Sequence, residues 1–379
     1  MSEATLANWT TAPFTHWAFR NIPRIMPTAR IAAGTAPPRA LPEAPHALDG
    51  FDVELAPGKN FDLPQLLAAT ATDAFLVVQD SRIVHQTYGN GLDAGTPHLL
   101  MSMSKAVTGL VAGLLRAAGT LDVEAPVSSL VPEIAETSYR GATIRQLLDM
   151  RARAVFDPPT LAAYAAATGW EAPSADGTPS DLKAFFAGMA HVPGTHGGAF
   201  KYDSANTDLL GIALERATGR SFADLVSELL WKPMGAAGDA FVTVDSQGAA
   251  RCSGGIGATA RDVARLGQLV LEDSGRIVPP GIIDDLWNGG DAGAWKDGEF
   301  GASFRAMKLG SMRYRSGWYI IDDAPRTLFA MGIHGQNLFV VPSHRLVIVK
   351  LSSLGNRIDP MAIVLAHRAV PEIARLIGS

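Results

Sequence analysis

The order of strand-like and helix-like patterns along the chain is the feature that most constrains its fold. Residues 74–89 alternate around a polar turn and indicate a β-hairpin, and four short apolar segments between residues 316 and 351 are spaced as an antiparallel meander. Between these strand-rich ends, residues 120–250 show mostly helical periodicity. We therefore predict an α+β fold, an antiparallel sheet flanked by helices with an inserted helical lobe.

This pattern also divides the chain. We expect residues 1–125 and 251–379 to form an α/β sheet lobe and residues 126–250 to form a mainly helical lobe. A chain of 379 residues allows this division, because single cores stop growing at roughly 250–300 residues. Apolar positions three and four apart predict an amphipathic helix over residues 103–118, and the proline-rich residues 21–60 predict an extended lead-in.

Composition and charge exclude several classes of protein. The net charge is −5, with no run of Lys or Arg, so we expect no nucleic-acid partner. The single cysteine, Cys252, excludes an internal disulfide and a thiolate metal cluster. No segment is long and apolar enough to span a membrane, and the first 20 residues lack a secretory signal. We expect a cytoplasmic protein without a membrane partner, and a homodimer is an open option.

Common catalytic signatures are also absent. The chain has no Gly-x-Ser-x-Gly elbow, no His-Glu-x-x-His, no P-loop and no complete dinucleotide fingerprint. The nine histidines show no metal-ligand spacing. We therefore expect neither a metal nor an organic cofactor.

What remains is a Ser-x-x-Lys pattern, which occurs twice. In residues 180–183, Ser180 follows a proline and precedes Asp181, which is typical of a helix N-cap with an acid in the first turn. Lys183 would then face solvent. We interpret this copy as a cap and turn to residues 102–105 for chemistry.

Ser102 follows an apolar run and opens the amphipathic helix, with Lys105 one turn further on the same side. This spacing suits a nucleophile and its base. A lysine accepts the serine proton only when neutral, so its pKa must fall by a few units from about 10.4. The alternative is structural, with Ser102 or Ser104 as the N-cap and Lys105 as an exposed charge.

Two further elements carry polar groups that fit this chemistry. Tyr202 precedes a predicted helix, and a tyrosine near a lysine ammonium sheds its proton more easily and can relay it to a leaving group. Its alternative role is packing at the helix entrance, with Ser204 as cap. On a late strand, residues 332–337 read Gly-Ile-His-Gly-Gln-Asn, where a backbone N–H can polarise a carbonyl. His334 alone would more often be structural.

In this order, the three elements resemble the serine β-lactamase and penicillin-recognising superfamily, in which Ser-x-x-Lys, Tyr-x-Asn or Tyr-x-Ser, and a Lys-Thr-Gly-type strand surround one acyl-enzyme site. Most of the chain is similar to the 6-aminohexanoate-dimer hydrolases, the nylon-oligomer branch related to class C β-lactamases and their esterases. The segments that carry this resemblance are residues 17–19, 72–77, 99–105, 200–208, 260–262, 332–337 and 349–353.

The resemblance implies a β-lactamase-like fold and assigns roles to the candidate residues. Ser102 would be the acylated nucleophile, Lys105 its general base and Tyr202 the proton relay to the leaving group. The backbone N–H groups of Ser102 and Ile333 would form the oxyanion hole.

Two departures from the family pattern bear on the substrate. His334, Gly335 and Gln336 stand in place of Lys-Thr-Gly, which removes the cation that holds a β-lactam carboxylate in that family, so we expect weak β-lactam hydrolysis and little transpeptidase activity. In the nylon-oligomer enzymes, a tyrosine on a mobile loop and an acidic residue lie between the first two motifs. Residues 152–169 are the corresponding stretch here, and the apolar Val155 and Ala165 lie nearest those two positions. An apolar pocket without that acid favours an uncharged acyl or alcohol portion. The candidate substrate-binding residues are Ser204, His334, Gly335, Val155, Tyr164 and Ser253.

The sequence thus predicts a serine hydrolase that acts on small carboxylic esters through an acyl-enzyme, with amide cleavage as an open extension. A 6-aminohexanoate-oligomer hydrolase is an alternative within the same chemistry. An acyltransferase and a non-catalytic ligand-binding protein on the same scaffold also stay open.

Overall fold

The computed structural model describes residues 4–171, 181–192, 194–272 and 275–378, and within them it confirms the predicted α+β fold of antiparallel sheets and helices. The strands, in chain order, are β1 Thr28–Ile31, β2 Val53–Ala56, β3 Lys59–Phe61, β4 Thr72–Gln79, β5 Arg82–Tyr88, β6 His98–Leu99, β7 Ala240–Thr243, β8 Ile256–Ala258, β9 Met312–Arg315, β10 Trp318–Ile321, β11 Thr327–Gly332, β12 Gln336–Val341 and β13 Leu346–Ser352.

The helices surround these strands. In chain order they are α1 Thr15–Ala18, α2 Leu63–Ala69, α3 Ser104–Ala117, α4 Ile144–Leu148, α5 Pro158–Ala167, α6 Leu182–Ala187, α7 Ser204–Thr218, α8 Phe222–Val226, α9 Ala260–Leu271, α10 Pro280–Asn288, α11 Ala292–Lys296, α12 Gly301–Ala306 and α13 Pro360–Ile377.

The main sheet has seven strands in the order β5-β4-β13-β12-β11-β10-β9, and every neighbouring pair is antiparallel. The predicted hairpin is β4 and β5, and the predicted meander is β10 to β13. Because β4 pairs with β13, the sheet joins the two ends of the chain, and the helices α4 to α8 lie between them in sequence. The proposed lobe boundaries themselves stay a prediction.

Alternation along the strands gives the sheet two apolar faces. On β12, Leu338 and Val340 belong to the core that contains α3 and α9, whereas Phe339 and Val341 belong to the core that contains α13. Burial of both faces explains why these strands are apolar at nearly every position.

The structure also contains elements that the sequence patterns did not reveal. A second sheet, in the order β1-β7-β8-β6, takes β1 from the predicted lead-in and β7 from the stretch expected to be helical. Helix α5 lies within residues 152–169, the stretch compared above with the family's mobile loop. Ser180 lies outside the described residues, and α6 begins after Asp181, whose carboxylate accepts a hydrogen bond from Ala184 N.

Helix α3 carries the Ser-x-x-Lys lysine and lies close against the β9–β10 turn. A Cβ atom added at Gly109 would lie 1.8 Å from the carbonyl oxygen of Ser316, and one added at Gly317 would lie 2.2 Å from the carbonyl oxygen of Lys105. Gly317 also has a φ of 85°. Two glycines therefore permit backbone-to-backbone contact between the helix and the turn.

We expect Gly109→Ala to destabilise the protein by roughly 1–3 kcal/mol or more, because the new methyl group clashes with a backbone atom that cannot turn away. Gly113→Ala is the matched control in the same helix, since its Cβ would meet only the side chain of Ile282, at 3.0 Å. Alanine favours helix over glycine by about 1 kcal/mol, which offsets that milder contact. Urea unfolding followed by circular dichroism measures both; equal midpoints for the two variants would contradict the close contact.

Candidate active site

Ser102 lies in a short 3-10 helix, Met101–Met103, directly before α3. Neither Ser102 nor Ser104 caps the N-terminus of α3, as the structural alternative would require. The residue at the N-cap position of α3 is Met103, which makes no side-chain cap, and Ser104 Oγ instead accepts a hydrogen bond from Ile256 N. Lys105 is 3% exposed rather than a surface charge.

The ammonium of Lys105 is held by three oxygen atoms. Its Nζ donates to Ser102 Oγ at 3.1 Å, to Ser204 Oγ at 3.1 Å and to the carbonyl oxygen of Ser253 at 2.7 Å. Burial lowers the pKa of Lys105 to about 7, and the nearby positive charge of Arg251 acts in the same direction. A neutral lysine amine beside Ser102 is therefore available near neutral pH.

Tyr202 lies at the entrance to α7, which is capped by the carboxylate of Asp203. The Lys105 Nζ lies 4.9 Å from the centre of its ring. Desolvation raises the pKa of Tyr202 well above its usual range, against the opposing effect of its hydrogen bonds with Ser102 and Ser204. The expectation that the tyrosine sheds its proton easily is thus wrong at neutral pH, because burial of the phenolate outweighs its polar contacts. Tyr202 therefore keeps its proton near neutral pH.

The end of β11 lies directly against the backbone of the Ser102 segment. A Cβ atom added at Gly332 would lie 2.8 Å from the carbonyl oxygen of Leu100 and 3.0 Å from Ser102 N. Only a residue without a side chain permits this approach. It brings the backbones of Ile333 and Ser102 together, and both residues line the same pocket.

That pocket has a volume of about 640 Å³. Of the predicted site residues, it is lined by Ser102, Tyr202, Ser204, Ser253, Tyr164 and Ile333. Lys105 lies beneath these residues and reaches the site through its hydrogen bonds to Ser102 and Ser204. The structure therefore brings the nucleophile, base, tyrosine and strand elements of the sequence prediction to one place.

Three predicted substrate contacts lie elsewhere. His334 is fully buried and its ring packs on Phe19, because a φ of 62° turns the chain and Nδ1 hydrogen-bonds the carbonyl oxygen of Leu354. Gly335 lies against Ser352, outside the pocket lining. Val155 is 44% exposed and also outside that lining. The sequence showed that polar residues follow this strand but not where their side chains lie.

One wall of the pocket is aromatic, which the sequence patterns did not predict. Trp9 and Trp170 both line it, their rings meet edge to face at 5.0 Å, and Trp9 Nε1 donates to the carbonyl oxygen of Trp170. Neither tryptophan belongs to a motif or to a periodic segment. They meet across 161 positions of sequence, so no local pattern could have paired them.

A buried ionic cluster was missed as well. Arg251 Nη1 pairs with the carboxylate of Asp208, which also accepts hydrogen bonds from Tyr164 OH and from Ser253 N and Oγ. Arg251 and Tyr164 line the pocket. The expectation of an apolar pocket is therefore wrong, because an arginine that is only 9% exposed forms part of its lining.

Two absences apply to the described ranges. Within residues 4–171, 181–192, 194–272 and 275–378, no group of three or more His, Cys, Asp or Glu side chains is placed to hold a metal ion. No helix in the same ranges is long and apolar enough to cross a membrane.

Comparison with known proteins places this geometry in a family. The family model described as "Beta-lactamase" matches residues 63–369. The chain is 36% identical over 361 residues to the 6-aminohexanoate-dimer hydrolase of Paenarthrobacter ureafaciens, a match that spans 93% of this chain and 88% of that protein.

Solved structures agree. The "Putative 6-aminohexanoate-dimer hydrolase from Bacillus anthracis" superposes with a TM-score of 0.85 at 26% identity, over 99% of this chain and 98% of its own. "EstCE1, a hydrolase with promiscuous acyltransferase activity" shares the fold, with a TM-score of 0.59 at 16% identity, over 81% of this chain and 98% of its own. The chain therefore belongs to the β-lactamase family and is a serine hydrolase.

Proposed function

We propose that this hydrolase cleaves small carboxylic esters through an acyl-enzyme on Ser102. The observation that carries the proposal is the hydrogen bond between Ser102 Oγ and a buried lysine whose pKa is lowered to about 7. Ser102 also lines a pocket of about 640 Å³, large enough for a small ester.

In the acylation step, neutral Lys105 takes the proton of Ser102 Oγ as that oxygen attacks the ester carbonyl. The carbonyl oxygen becomes an oxyanion, which the backbone N–H groups of Ser102 and Ile333 stabilise. The C–O bond then breaks, and the departing alkoxide takes a proton from Tyr202 OH, which recovers one from the Lys105 ammonium. In deacylation, Lys105 and Tyr202 take a proton from a water molecule as its oxygen attacks the acyl carbon. The bond from that carbon to Ser102 Oγ then breaks, and Oγ recovers the proton as the acid leaves.

Amide cleavage is the second candidate. The 36% identity to the Paenarthrobacter enzyme favours a 6-aminohexanoate-oligomer hydrolase. An amide needs fuller protonation of its leaving group than an ester. Turnover of a linear amide beside its matched ester separates the two.

Acyl transfer and ligand binding without catalysis are each tested separately. Added alcohols that capture the acyl group would indicate an acyltransferase, and a protein that no activated ester acylates would be a ligand-binding protein. Cytoplasmic location and a homodimer stay predictions.

The identity of the nucleophile is tested by intact-mass measurement after treatment with a serine-directed phosphonate. We expect one adduct on the wild type and none on Ser102→Ala, because the Ser102 hydroxyl lies beside both the Lys105 amine and the backbone of the proposed oxyanion hole. Ser180→Ala, the serine of the other Ser-x-x-Lys copy, is the matched control and should label fully. An unlabelled wild type, or an adduct that survives in Ser102→Ala, would contradict the proposal.

The role of Lys105 is tested by the pH profile. A general base works only in its deprotonated form, so kcat/KM for a non-ionising ester should rise as pH increases through about 7, the pKa of Lys105. Lys105→Arg keeps a cation that stays protonated, and its acylation rate should fall by about 10²–10⁴. A wild-type profile that is flat between pH 5 and 9, or a fast arginine variant, would assign the base to another group.

A further inference from the structure

The pocket that contains Ser102 is lined by more positive than negative charge. Among the described residues, the charged side chains in its lining are Arg251, Arg357 and Glu171. Arg357 and Glu171 are exposed, so water screens both of them, whereas Arg251 is only 9% exposed. Of these three lining charges, Arg251 would therefore interact most strongly with a bound ligand.

The guanidinium of Arg251 is held in a fixed orientation. Its Cζ atom lies 5.0 Å from the ring centre of Tyr164 and 5.0 Å from that of Trp170, so the planar group contacts two aromatic rings. Its Nη1 is bonded to Asp208 and to Tyr164 OH. A guanidinium held in this way has already lost the side-chain freedom that ligand binding would otherwise cost.

Asp208 balances this charge without occupying all of the donors. Its carboxylate is fully buried, lies outside the pocket lining and accepts hydrogen bonds from Arg251, Tyr164 and both Ser253 donors. The hydrogen bonds that the structure shows for the Arg251 side chain both start from Nη1; Nε is buried away from the pocket, and Nη2 has no partner within the described part of the chain. A guanidinium has five N–H donors, so capacity for a second carboxylate remains.

From these contacts we infer that the pocket selects esters whose remote end carries a carboxylate, with the Arg251 guanidinium as its receptor. The inference rests on the proposed function. Suitable substrates are half-esters of linear dicarboxylic acids and acylated hydroxy acids. A guanidinium N–H bonds a carboxylate more strongly than a neutral acceptor, and Nη2 carries two such N–H bonds. The same charge disfavours an ester that ends in an ammonium.

The test compares matched esters that differ only at the remote end. One set consists of p-nitrophenyl esters of hexanoic acid, adipic acid and 6-aminohexanoic acid, which end in methyl, carboxylate and ammonium. The second set places the same three ends on the alcohol portion of acetate esters. We expect kcat/KM for the carboxylate ester to exceed that for the methyl ester by about tenfold in at least one set, chiefly through KM, because hydrogen bonds to charged groups are stronger than neutral ones. The ammonium ester should be the slowest.

Two variants identify the receptor. Arg251→Gln/Asp208→Asn removes both charges together, so that neither is left buried alone, and should bring the carboxylate-to-methyl ratio close to one. Because the ratio is taken within one variant, a general loss of activity does not affect it. Arg357→Gln removes the exposed guanidinium and should keep most of the preference.

If the double variant fails to fold, competitive inhibition of the wild-type enzyme tests the inference instead. Adipate should then compete with substrate more strongly than 1,6-diaminohexane; equal or weaker competition by adipate would remove the Arg251 receptor.

The results that overturn the inference differ from those that overturn the proposed function. Hydrolysis of the methyl esters without a carboxylate preference in either set would remove the Arg251 receptor and leave the hydrolase intact. Loss of the preference in Arg357→Gln but not in the double variant would do the same. If no ester is hydrolysed and the phosphonate does not label Ser102, both fall together.

Discussion

The burial of one lysine amine determines how the rest of the site is built. An ammonium that is almost fully desolvated is costly unless it finds hydrogen-bond partners, and Lys105 finds three. These partners come from distant parts of the chain: the 3-10 turn before α3, the first residue of α7, and the loop before β8. Each must be held in place for the lysine to stay buried with a lowered pKa. The Asp208 carboxylate does this for the loop, since it anchors Ser253, whose carbonyl oxygen accepts from Lys105.

A second polar network fixes the N-terminal segment that forms a wall of the pocket. Asp73, on β4, contacts His16 at 3.4 Å and His98 at 3.1 Å, and Thr15 Oγ donates to the carbonyl oxygen of Ser353. Although burial raises it, these histidine hydrogen bonds hold the pKa of Asp73 well below its usual range. Ser353 Oγ and Asp73 both meet His16 at Nδ1, so the ring cannot pass a proton between them as a catalytic triad does. The network holds the segment that carries Trp9 against the sheet.

The features that could be predicted from the sequence are those formed by residues close together in the chain. The spacing of Ser102 and Lys105, the amphipathic helix after them and the β4–β5 hairpin are local patterns, and the structure contains each of them. Arg251 and Trp170 could not be placed in the pocket because their positions depend on contacts between distant segments. The direction of His334 depends on a single backbone angle in a short turn, which no hydrophobic period reports.

The glycine contacts between α3 and the β9–β10 turn limit how the enzyme can be redesigned. Gly109 and Gly317 bring two backbones so close that no side chain fits at either position, and one of those backbones carries Lys105. The position of α3, and with it that of Lys105, is therefore fixed relative to the turn. A library aimed at new substrates should leave α3 and this turn unchanged and vary Trp9 and Leu161, which line the pocket. Changes there alter the shape offered to the substrate without moving the reacting groups.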